Sequence, residues 1–76
     1  MKHGILSIEG ADCASCVFAI EYNGRKLSGV VDVHVDVNSH RIHVDYEDDK
    51  NYPLEAISDI VDKLGYKAKI ITREQD

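Results

Sequence analysis

Residues 30–46 read VVDVHVDVNSHRIHVDY, and their alternation decides the fold. Val31, Val33, Val35 and Val37 point to one side of an extended chain, and Asp32, His34 and Asp36 to the other. Asn38-Ser39 turns the chain, and Ile42, Val44 and Tyr46 resume the two-residue period. The stretch is therefore a hairpin with its valine face buried and its other face wet. Upstream, Gly29 ends a helical spacing of Val17, Ile20 and Leu27 that runs from Ser15 to about Leu27. Before that, Ile5-Leu-Ser-Ile8 is a short strand stopped by Gly10. Downstream, Pro53 suits a first helical position and Glu55 the first turn. Leu54, Ile57, Ile60, Val61 and Leu64 form an amphipathic stripe, Gly65 is a natural residue just past a helix end, and Tyr66–Ile71 makes a last strand. The order β-α-β-β-α-β predicts an α+β, ferredoxin-like sandwich: a four-stranded antiparallel sheet with two helices on one face.

The chain has 76 residues, enough for one domain with a small core. We assign residues 1–71 to that domain and 72–76 to a polar tail or the start of a linker. No apolar run approaches the roughly 18–20 residues that span a bilayer, and the first residues lack the apolar stretch of a signal peptide. The expected location is cytoplasmic, either as a freestanding protein or as the cytosolic domain of a membrane transporter, with no insertion of this chain into the membrane. The formal charge of −5 argues against nucleic acid, which needs a basic face. It favours a protein partner with a basic docking face. The acidic run from Asp45 to Asp49 reads most simply as a solvated loop.

Both cysteines of the chain lie in GADCASC, residues 10–16, in the loop between the first strand and the first helix. Cys16 falls at the helix N-terminus and Cys13 just before it, where unpaired N–H groups and the helix dipole stabilise thiolate. Three chemistries are open: a disulfide switch, half of a structural zinc site, and a small site for a thiophilic metal. Closed zinc sites use four Cys or His ligands, and no second cysteine pair and no nearby histidine completes one here. A thioredoxin-like switch also places C-x-x-C at a helix start, but the chain is too short for that fold and its element order differs. A structural disulfide would close a tiny loop and gain little chain entropy. Two soft thiolates suit Cu(I), which prefers sulfur and accepts few ligands.

With these residues in place, the chain resembles a heavy-metal-associated domain, the module of copper chaperones and of the cytosolic metal-binding domains of P-type metal-transporting ATPases. The likeness runs from Ile5 to about Ile71. Gly10, Cys13 and Cys16 match the family pattern Gly-Met-x-Cys-x-x-Cys. Val17, Ile20, Glu21, Gly29, Val30, the alternating valines, Tyr46, Ile57, Ile60 and Leu64-Gly65-Tyr66 match the rest. The resemblance implies a carrier rather than an enzyme. Cys13 and Cys16 would hold the ion and pass it through shared-thiolate intermediates to a C-x-x-C loop on a partner, and Tyr66 would lie near that loop. A metal bridging the loops of two copies is a further expectation.

Three departures matter. Ala11 stands where the family methionine reaches inward, which predicts a looser loop or a small void. Gly24 stands where the family usually has Leu, and with Asn23 it predicts a helix frayed, kinked or ended early. Phe18 and Tyr22 replace polar residues, and we expect them to cover the gap at Gly24 rather than to dock a partner. In addition, Asp12 precedes Cys13, as in some zinc, cadmium and lead exporters. A carboxylate there would serve Zn(II) or Cd(II) as an extra, harder ligand, or simply favour the helix start. We place Cu(I) first and Zn(II) or Cd(II) second.

Of the four histidines, His34 and His43 share the outer sheet face if the chain turns near Asn38-Ser39: a two-residue turn would set them directly opposite each other, and a four-residue turn would set each against an aspartate. They read as solvated residues, with a weak site for Zn(II), Ni(II) or Cu(II) as the alternative. Two other function classes compete with metal carriage: a dithiol redox module, and an acylphosphatase-like enzyme or plain interaction domain. The enzyme reading lacks a basic phosphate cradle in the first loop, where Asp12 would repel phosphate.

Overall fold

In the computed structural model, which describes residues 2–11, 13–47 and 52–75, the chain order is β1 (Lys2–Glu9), α1 (Ala14–Arg25), β2 (Val30–Asp36), β3 (Arg41–Tyr46), α2 (Pro53–Lys63) and β4 (Lys67–Gln75). The strands form one sheet in the order β2-β3-β1-β4, each neighbouring pair antiparallel. Leu6 of β1, Val33 and Val35 of β2, and Ile42 and Val44 of β3 are buried in one cluster with Ile20 of α1 and with Leu54, Ile57 and Val61 of α2. Both helices therefore cover the same sheet face, the ferredoxin-like sandwich that the element order predicts.

In the central hairpin Val33 stands opposite Val44 and His34 opposite His43, the pairing expected of a two-residue turn, although the turn takes four residues. Residues 37–40 make the turn, where the Asn38 N–H donates to Asp36 Oδ1 at 3.0 Å. The valine face is shorter than the alternation implies. Pairing shifts between Val30 (opposite Tyr46) and Asp32 (opposite Asp45), so Val31 is the extra residue of a bulge. Val31 is exposed, while Val30 packs against the core in its place. Val37 leaves the strand for the turn and is exposed as well.

The outer strands are longer than their apolar residues suggest. β1 begins at Lys2 because Lys2 and His3 pair with Tyr46 and Asp45 of β3. β4 continues past Ile71 to Gln75, through residues expected to form a tail, and Gln75 pairs with His3 beyond a register shift. Of the acidic run, Asp45 and the fully buried Tyr46 belong to β3. Residues 48–51 lie outside the described residues.

The expectation for the first helix is corrected. α1 runs through Asn23-Gly24 to Arg25. A Cβ on Gly24 would lie 2.8 Å from Ile57 Cδ1 and 2.9 Å from Val33 Cγ2. The glycine is the point where α1 presses onto β2 and α2, and no gap is left there for Phe18 and Tyr22 to cover. Both aromatics are instead exposed, Phe18 at 65% and Tyr22 at 50%. Their rings stack at 5.6 Å, and Lys26 Nζ sits 4.2 Å above Tyr22. The Asn23 amide donates to Ala19 O at 2.7 Å, back along the helix, instead of ending it. The last turn is held by Arg25, whose guanidinium donates to Asp32 Oδ1 (2.8 Å) and to Val33 O (2.9 Å) of β2.

Candidate metal site

The loop from β1 to α1 is held from both sides. Gly10 leaves β1 at φ +95°, a conformation that disfavours side chains. A Cβ there would come within 3.3 Å of the Tyr66 ring, so Tyr66 stands beside this loop, as expected. Tyr66 is half-buried and packs on the core. Ala11 is buried in the same cluster, so its methyl group takes the inward position. Asp12 lies outside the described residues.

Cys13 is the N-cap of α1, with extended backbone. Its Sγ accepts the backbone N–H of Cys16 at 3.2 Å and lies 3.3 Å from Ser15 Oγ. Sulfur thus fills the role that an oxygen side chain usually fills at this position. Cys16 is the third residue of the helix, half-buried against the core, whereas Cys13 is exposed. The Cα atoms are 5.2 Å apart, and the sulfurs are joined as a disulfide, the oxidised form of the pair. Once reduced, the two sulfurs share one helix N-terminus, where backbone N–H groups and the dipole favour negative charge. Such a pair can capture a thiophilic ion or exchange electrons. Among the described residues no group of three or more His, Cys, Asp or Glu side chains is placed to hold a metal. Among them, then, the loop offers two sulfurs and no third protein ligand.

The histidines are elsewhere. His34 and His43 are cross-strand neighbours on the outer sheet face, with ring centroids 6.4 Å apart. His34 Nδ1 is 3.8 Å from Glu21 Oε2, and that carboxylate also accepts the Val35 N–H at 2.9 Å along the free edge of β2. His40 is in the turn. His3 joins the outer face through pairing of the first residues of β1, which the sequence reading places outside the strand. Its Nδ1 donates to Asp45 Oδ1 at 2.8 Å, and its Nε2 is 3.2 Å from His43 Nδ1. His43 is thus an engaged residue, not one that is merely solvated.

Among the described residues no helix is long and apolar enough to cross a membrane. The heavy-metal-associated domain family matches residues 5–67. The chain is 33% identical to the copper chaperone CopZ of Bacillus subtilis over 66 residues, 87% of this chain and 94% of that protein. It superimposes with a TM-score of 0.85 on the Cu(I)-loaded N-terminal domain of a potential copper-translocating P-type ATPase from the same species, at 31% identity, covering 99% of this chain and 92% of that one. The N-terminal domain of the zinc(II) ATPase ZiaA in its apo form gives a TM-score of 0.80 at 31% identity, covering 92% of this chain and 65% of that one.

Proposed function

The chain belongs to the heavy-metal-associated domain family, and from that premise we propose that reduced Cys13 and Cys16 hold one Cu(I) ion and pass it to a C-x-x-C loop on a partner. The domain is a metal-binding module, not an enzyme. The observation that carries the copper reading is the donor pair: two sulfurs at one helix N-terminus, one accepting a backbone N–H. Two soft sulfurs suffice for Cu(I), whereas Zn(II) takes four ligands and would have to draw the others from outside the pair. Low coordination also permits transfer, because an incoming thiolate finds room on the ion before an outgoing one leaves. The copper named for the bacterial chaperone and for the ATPase domain supports the same choice. A net charge of −5 supports a partner with a basic face, and an ion bridging the loops of two copies is the homotypic form of the same transfer. The likeness to a zinc(II) ATPase domain at 31% identity supports a second reading, in which Asp12 adds an oxygen ligand for Zn(II) or Cd(II).

Competitive titration of the fully reduced protein with chelator-buffered Cu(I) and Zn(II), repeated on Asp12→Ala, separates the two. Copper carriage predicts tight 1:1 Cu(I) binding that ignores Asp12→Ala and is lost in Cys13→Ser. Zn(II) binding that collapses in Asp12→Ala would move the domain to divalent ions. Failure to bind either ion would leave the dithiol redox module, consistent with the disulfide.

A further inference from the structure

We propose a second metal site, for a divalent ion of borderline hardness such as Zn(II) or Co(II), on the outer sheet face between His3 and His43. The two residues are 40 positions apart in sequence and meet because β1 and β3 pair with His3 opposite Asp45 and Ile5 opposite His43. His3 Nε2 and His43 Nδ1 are 3.2 Å apart. Two nitrogens each bound at 2.0–2.1 Å to one tetrahedral ion are separated by about 3.3 Å. The pair already has the spacing that an ion would impose.

The tautomers also fit. An ionised Asp45 only accepts, so the His3 Nδ1 at 2.8 Å carries a proton, and the neutral form of the ring turns an Nε2 lone pair toward His43. A carboxylate behind the ligating imidazole is the support that metal-binding histidines usually have, fixing ring and tautomer. With that tautomer of His3, the 3.2 Å contact of the metal-free pair is a hydrogen bond in which His43 Nδ1–H donates to His3 Nε2. Binding replaces that hydrogen bond: the ion enters between the nitrogens, and His43 moves its proton from Nδ1 to Nε2 through solvent. No net proton is lost from the pair. His3 is 31% and Asp45 42% exposed, so an ion can reach the pair and keep water in its remaining positions.

This site is independent of the thiol loop. His3 and Gly10 lie at opposite ends of β1, seven residues or roughly 23 Å apart. Imidazole and water select borderline divalent ions, whereas the thiolates select soft ones. One small domain would then distinguish two classes of metal at its two ends.

The test uses the full chain carrying Cys13→Ser and Cys16→Ser, so that neither the success nor the failure of the thiol reading affects it. Zn(II) is the probe, with Co(II) for its visible spectrum, because neither readily displaces protons from backbone amides as Cu(II) and Ni(II) do. The expected result is one Zn(II) per chain at micromolar concentration, with perturbation of the imidazole nitrogen signals of His3 and His43 in NMR spectra. His43→Asn and His3→Asn should each abolish that binding, and Asp45→Asn should weaken it roughly tenfold. His40→Asn should leave it unchanged. Unperturbed backbone spectra certify that the variants are folded. Absence of binding up to millimolar Zn(II), or binding that survives both His43→Asn and His3→Asn in folded protein, would overturn the site.

Discussion

Gly24 shows how one missing methyl group can be a packing decision. In isolation, a glycine inside a helix costs about 1 kcal/mol against alanine, so Gly24→Ala would be expected to stabilise α1. The contacts oppose this, because the new Cβ would meet Ile57 Cδ1 at 2.8 Å and Val33 Cγ2 at 2.9 Å. Ile57 can turn its terminal methyl away. Val33 has no such freedom, being β-branched and buried in β2. Overpacking typically costs about 1–3 kcal/mol, so the clash should outweigh the gain in propensity. We predict that Gly24→Ala lowers stability by about 1 kcal/mol in urea unfolding, and that Gly24→Leu lowers it by several times as much or prevents folding. Stabilisation by Gly24→Ala would show that α1 can lift off the sheet at no cost. The helical propensity of Gly24 is legible in the sequence; its neighbours are not, because Val33 and Ile57 come from other elements.

Between elements, the tie from α1 to β2 is electrostatic at its end and apolar along its length. Arg25 holds Asp32, whose carboxyl is kept below the usual carboxylate range, chiefly by the Arg25 hydrogen bond and further by the Val33 N–H it accepts. A carboxyl with a lowered folded pKa contributes stability that is complete above the unfolded value, near 3.8, and is lost as the pH falls through the folded value. Asp32→Asn should therefore be less stable than the parent at pH 7 by no more than about 1 kcal/mol, as befits an exposed pair. The difference should close at low pH, below the folded value of Asp32. Unfolding midpoints in urea at the two pH values measure it, and a difference that persists at low pH would assign the effect to packing. The helices and the hairpin are legible in the sequence because their signals are local: a period of two from Val33 to Val44, a period of 3.6 from Leu54 to Val61, and Pro53 at the first helical position. The bulge that turns Val31 outward is not, since a strand that alternates perfectly carries no sign of the partner residue it skips. The first residues of β1 are also hidden, for Lys2, His3 and Gly4 lack strand character and are drawn in by β3. The thiol loop is legible for the opposite reason: Cys13 and Cys16 are neighbours in the chain, whereas His3 and His43 become neighbours only through pairing.

For the whole molecule, a core this small makes ligand occupancy a large term in stability. An ion that binds only the folded chain stabilises it by RT ln(1 + [L]/Kd), about 4 kcal/mol when free ion exceeds Kd a thousandfold. In a domain of this size each kcal/mol shifts the melting temperature by roughly 4–8 °C. Oxidation of the same two sulfurs closes a loop of only four residues, and loop-closure arithmetic gives it about 2 kcal/mol at most. Metal carriage therefore predicts an order of melting temperatures: reduced apo-protein lowest, disulfide form intermediate, and reduced protein with excess buffered Cu(I) highest, by about 15–30 °C over the apo-protein. Adding Cu(I) to the oxidised chain should do nothing, because the disulfide has no thiolate to offer. In Cys13→Ser the copper shift should fall to a few degrees, while the helix start persists because serine also caps it well. A redox module predicts a different order, with oxidation as the large shift and Cu(I) as the small one. Calorimetry of the three forms, with thiol content measured alongside, decides between the two functions without knowledge of the partner.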